Sequence, residues 1–200
     1  MQYLTRAPAS QGFTLLEVLI AILVFSIGLL GLAGLQVSGL KLSHDSLLRG
    51  IATIKANDMA DRMRTNSAVF DLGAASPYNN PTSAKTGSPN CLGKDSLGND
   101  VNVQCTATQM AQNDFYEWYA QLKGQAATSW HPQVLPALPS GDGVVCVDST
   151  PNDGTPAAPA CDGVIAVTNA PIFAIKIWWR EREDEASPGT LHRFVMSLSP

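Results

Sequence analysis

The sequence predicts an α+β fold in which one long N-terminal helix, membrane-spanning in its first half, packs on a small antiparallel β-sheet domain. Three observations carry this expectation. An apolar run extends from Phe13 to Leu35, helical spacing of apolar residues continues beyond it to about Arg64, and the last third of the chain alternates apolar and polar residues.

The first element lies in "QGFTLLEVLIAILVFSIGLLGLAGLQ", residues 11–36. As a helix, Phe13 to Leu35 would extend about 35 Å, enough for a hydrocarbon core of about 30 Å. Glu17 sits near its start. An ionisable group in hydrocarbon costs roughly 2.5–3.5 kcal/mol on insertion scales, so it faces protein or takes a partner. A short polar leader, "MQYLTRAPASQG", stands before the apolar run. A secretory signal peptide has the opposite order and loses its apolar region, whereas cleavage after Gly12 would keep the anchor. Arg6 before the run and Lys41, Arg49 and Lys55 after it give no basic excess on the N-terminal side.

The helix is expected to continue as an amphipathic one. Val37, Leu40, Leu47, Ile51 and Ile54 recur at spacings of three, four or seven, with Met59 and Met63 one turn apart, and these define the face expected to lie on the domain. Lys41, Asp45 and Arg49 form an i, i+4 charge ladder.

Residues 67–104 are dense in turn formers and read as an irregular connection. Thr106 or Thr108 then caps a second helix ending near Gly124, with Ala111, Phe115, Trp118 and Leu122 on one face. The aromatic cluster Phe115, Tyr116, Trp118 and Tyr119 reads as core packing. Short strands are expected at 144–147 and 164–167. In "IFAIKIWWRE", Phe173, Ile175, Ile177 and Trp179 alternate against Lys176 and Arg180, and Phe194, Met196 and Leu198 repeat the pattern. The two long strands should form a hairpin whose tip carries Glu181, Glu183, Asp184 and Glu185 as solvated charges.

A net charge of −4 and a pI near 5.2 leave no basic footprint for nucleic acid. Cys91, Cys105, Cys146 and Cys161 all follow the apolar run and lack the C-x-x-C pairs of a zinc site, so they read as two disulfides in an oxidising compartment. Three connectivities are open. The adjacent pairing, Cys91 with Cys105 and Cys146 with Cys161, is favoured because each bridge closes a turn-rich loop of about 15 residues. His44, His131 and His192 show no metal spacing, and no serine sits in a nucleophile motif. The chain reads as non-enzymatic, with no cofactor and no metal.

"GFTLLEVLIA" is similar to the N-terminal signature of type IV pilins and pseudopilins, with Gly12, Phe13 and Glu17 at the matching positions. Looser similarity to minor pilins extends to "DMADRMRTN" at 58–66, "NDFYEWYAQL" at 113–122 and "HRFVMSLSP" at 192–200. The resemblance implies a type IV pilin-like fold and a prepilin peptidase that cuts after Gly12 and methylates Phe13. It also implies a docking role for Glu17 toward the amine of a neighbouring subunit. The implied divisions are a leader at 1–12, a transmembrane and assembly helix at 13–36, an amphipathic continuation at 37–66 and a globular periplasmic or extracellular domain at 67–200. The implied partners are other minor and major pilins and an inner-membrane assembly platform. The function implied is a minor pilin that helps initiate or cap a type IV pilus, anchored in the inner membrane and later displayed at the cell surface. A type II secretion pseudopilin and a membrane-anchored extracellular binding module, such as an adhesin, are the alternatives. Major pilins usually carry a proline about twenty residues into the mature chain; here Gly28, Gly31 and Gly34 stand in that region. They either allow a local melt or serve close helix packing.

Overall fold

A computed structural model describes residues 12–79, 91, 104–125, 133–164, 171–181 and 189–200. The chain divides into a unit ending at Asp45 and a second from Ser46 to Pro200.

The first unit holds the N-terminal part of helix α1, Leu15–Thr65, which runs unbroken through Gly28, Gly31 and Gly34. Its apolar side chains are exposed, Phe13, Leu16, Phe25 and Leu30 among them. This helix is long and apolar enough to cross a membrane.

The second unit is α+β. The C-terminal part of α1 is followed by the single-turn α2, Ser67–Phe70, then by α3, Ala107–Lys123, and a three-stranded antiparallel sheet. Strands β1, Asp142–Val147, β2, Phe173–Arg180, and β3, Leu191–Leu198, lie in sequence order. Register pairs Val145 with Ile175 and Ile175 with Met196.

Thr106 caps α3 through a capping box, its hydroxyl accepting from the Gln109 amide while the Gln109 side chain accepts from the Thr106 amide. Ala111, Phe115, Trp118 and Leu122 are buried along one face. They meet Phe173, Ile175, Ile177 and Trp179 of β2 and Val145 and Val147 of β1 in one core. Leu198 is buried there, and Phe194 and Met196 pack against it.

Two expectations need correction. The face of α1 that enters the core is Leu48, Ala52, Ala56, Met59, Ala60 and Met63, whereas Val37, Leu40, Leu47 and Ile54 are exposed and Ile51 is half-buried. Alanines carry little hydropathy but let neighbouring elements approach closely, so the larger exposed side chains dominated the pattern. Lys176, expected on the solvent side of β2, is fully buried together with Trp178. Residues 148–163 cover that second face of the sheet, as the bonds from Lys176 and Arg193 to this segment show.

Val164 is exposed and outside any strand, while 165–167 lie outside the described residues. Residues 1–11 of the expected leader, most of the 67–104 connection, His131, and Glu183, Asp184 and Glu185 also lie outside the described residues.

Candidate processing and docking site

The N-terminal segment is built on the first turn of α1. Thr14 precedes the helix, and its hydroxyl and carbonyl oxygens both accept from the Glu17 amide, at 3.3 and 3.1 Å. This arrangement satisfies an amide that the helix leaves without an intrahelical acceptor. Glu17 is the acidic residue of that first turn, where the positive end of the helix dipole favours a carboxylate. Phe13, Glu17, Ala21 and Phe25, spaced by four, line one shallow concave face. No ion pair or side-chain hydrogen bond reaches the Glu17 carboxylate among the described residues. Gly12 is exposed, and a Cβ built there would meet nothing within 4 Å. The helix begins two residues after Phe13.

Residues 8–33 match the family described as the prokaryotic N-terminal methylation motif. The N-terminus is that of a type IV pilin-like prepilin. Comparison with curated proteins and with solved structures finds no match. The motif implies processing by a prepilin peptidase and association with other pilin-like subunits, and together with the exposed apolar helix it fits membrane anchoring with an extracytoplasmic C-terminal domain.

The second unit of the chain holds two disulfides, Cys91–Cys105 and Cys146–Cys161, with Cα separations of 5.7 and 6.0 Å. Cys146 and Cys161 also lie close to Asp148, but their sulfurs are bonded to each other and offer no thiolate to a metal. His192 stacks on Trp179 at 5.5 Å between ring centroids, with Nε2 3.4 Å from Glu181. His44 is exposed.

Two polar clusters escaped the sequence reading. The first joins the helices. Arg62 of α1 reaches Asp58 at 3.3 Å, Asp114 at 3.3 Å and Glu117 at 3.0 Å, and the Tyr78 hydroxyl donates to Asp114 at 2.6 Å. Burial opposes the Arg62 charge, but the bond to Glu117 and the charges of Asp58, Glu117 and Asp114 hold its pKa above the ordinary value. Burial pushes the Asp114 carboxyl up, against the bond from Tyr78 and the charge of Arg62. Burial, then the bond to Asp114, also pushes the Tyr78 phenol up.

The second cluster centres on Lys176. Its ammonium lies 2.5 Å from Asp148 and 2.8 Å from Asp153, and also donates to the Asp153 and Pro159 carbonyls. These partners are 17–28 positions away in sequence, which no local motif reveals.

Proposed function

We propose that the chain is a minor pilin, a structural subunit that helps initiate or cap type IV pilus assembly and has no enzymatic role. The carrying observation is the conjunction of Gly12, Phe13 and Glu17 at the start of an apolar helix that continues into a disulfide-bonded α+β unit. An ordinary single-span anchor needs no glycine, phenylalanine and glutamate at those positions. In this reading the leader is 1–12, Phe13 becomes the methylated N-terminus, residues 13–36 form the transmembrane and assembly helix, 37–66 continue it, and 67–200 form the extracytoplasmic domain. Glu17 docks on the amine of a neighbouring subunit, since two charges in a low-dielectric setting stabilise one another only as a pair. The segments at 58–66, 113–122 and 192–200 further resemble the minor pilin PilV, the type IV pilus modification protein.

The second reading, a type II secretion pseudopilin, rests on the same N-terminal residues. Deleting the gene and measuring surface pili, twitching motility and type II export in one strain separates the two. Loss of pili with normal export is expected. Normal piliation with lost export would assign the chain to secretion, and normal values of both would leave the extracellular binding module.

A further inference from the structure

Lys176 and Asp148 are both fully buried, and their Nζ and Oδ2 atoms lie 2.5 Å apart. That separation is inside the roughly 2.7–2.9 Å of an ordinary charge-assisted bond. The Oδ2 atom is closed off from solvent and accepts no well-directed hydrogen bond, so the contact is close but poorly aligned for simple ion pairing. The sheet face along the Lys176 stem is apolar, while its Nζ also donates to the Asp153 and Pro159 carbonyls and Asp148 Oδ1 accepts from the Thr150 amide. Val144 stands opposite Lys176 in the β1–β2 register, Ala174 and Trp178 flank it on the same sheet face, and all three are buried. A second carboxylate, Asp153, touches the same nitrogen at 2.8 Å and keeps its side chain 44% accessible to water.

We propose that Lys176 and Asp148 form an intramolecular isopeptide bond, promoted by Asp153, that joins β2 covalently to the segment following β1. The chemistry is a condensation. One proton passes from the Lys176 ammonium to the Asp148 carboxylate, leaving an amine and a carboxylic acid side by side. The Nζ lone pair attacks Asp148 Cγ and forms the carbon–nitrogen bond. Asp153 accepts the proton shed by Nζ and returns it to the departing Asp148 hydroxyl. The carbon–oxygen bond breaks and one water leaves toward the accessible Asp153 side. One amine and one acid give one amide and one water, with no oxidant, reductant or activating group required. The reaction also removes two charges from a buried position, where each carries a desolvation cost that pairing and hydrogen bonds must otherwise offset. Burial of both groups supplies the other requirement: the reacting atoms are held together by the fold.

This inference stands apart from the pilus reading and concerns the second unit alone. It predicts a simple peptide map. No lysine or arginine lies between Gly124 and Ile175, so trypsin acting on an unlinked chain, denatured and with its disulfides reduced, releases 124–176 and the short peptide 177–180. An acylated Lys176 is not a trypsin site. The linked full-length chain therefore yields one peptide, 124–180, lighter than its sequence mass by one water, and fragmentation places the branch at Asp148. In Asp153→Asn, the 177–180 peptide should reappear in most of the material. Quantitative release of 177–180 from the wild-type chain overturns the bond, a branch at Asp153 overturns the assignment to Asp148, and a fully linked Asp153→Asn variant overturns the role of Asp153.

Discussion

The indole nitrogen of Trp118 donates a 2.8 Å hydrogen bond to the backbone carbonyl of Lys55, tying α3 to the middle of the core-facing part of α1. Trp118 is fully buried, and the Lys55 ammonium reaches the Gln121 side chain at 2.5 Å one turn further along α3. Side chain and backbone thus bind the same two helices from adjacent turns. Phenylalanine in place of Trp118 keeps most of the apolar contact but loses the donor, which should cost about 1 kcal/mol plus the missing ring volume. Trp118→Ala should cost about 3–5 kcal/mol. Denaturant unfolding of the detergent-solubilised chain reads both, and a Trp118→Phe variant as stable as wild type would remove the hydrogen bond from the account.

The α3 stripe was legible because a capping threonine and four apolar residues at helical spacing all point to the same element. The hairpin was legible by its alternation. The buried face of α1 was not, because half of its six buried residues are alanines, which small size makes ideal for close packing and nearly silent in hydropathy. Lys176 was misread for a different reason. Its partners come from a loop folded over the sheet, a non-local fact that strand periodicity cannot carry. At the N-terminus, where the informative residues are contiguous, sequence and family comparison agree on the motif.

Gly143 of β1 offers a packing test. A Cβ built there would fall 2.5 Å from Trp118 and 2.6 Å from Leu122. Gly143→Val should destabilise the second unit by about 1–3 kcal/mol through overpacking. On exposed Gly50 of α1 the added carbon meets nothing, and Gly50→Ala should stabilise by up to about 1 kcal/mol through helix propensity. Thermal unfolding of the two variants should shift in opposite directions; an unchanged or raised midpoint in Gly143→Val would contradict the packing assigned to Trp118.

Acid should loosen the loop after β1. The Asp162 carboxyl is held below its ordinary value of 3.8 by the side-chain bond from Ser149, then by the Val164 and Ser149 amides. A carboxyl depressed in the folded state contributes stability above 3.8 that is lost as pH falls through the folded value. Exchange of the Ser149 amide, corrected for its intrinsic pH dependence, should therefore lose protection below that pH in wild type. In Asp162→Asn the protection should be lower at neutral pH and flat across the acid range; a wild-type-like profile in that variant would be contrary to this account.

Glu17→Leu tests docking. Removing a charge from an apolar helix eases insertion, so the variant should reach the membrane, lose its leader and form both disulfides. A neighbour's amine buried without its carboxylate should weaken assembly by about 3–5 kcal/mol. Immunoblots should show the processed protein in membranes and its absence from sheared filaments. Wild-type abundance in filaments would leave Glu17 as a helix-terminus residue only.

The loop over the second sheet face has a consequence for resistance to proteolysis. Endoproteases bind their substrates as extended strands whose main-chain carbonyls are free to pair with the enzyme. Six of the eight carbonyls along 152–159 are engaged by the protein itself: Arg193 takes Asn152 and Gly154, Lys176 takes Asp153 and Pro159, and Thr155 and Ala158 bond each other. With Cys161 tethered to Cys146, the segment cannot peel away from one end to present itself. A stretch that looks by composition like the easiest place to nick the chain should instead resist digestion, a durability that would come from the sheet beneath it.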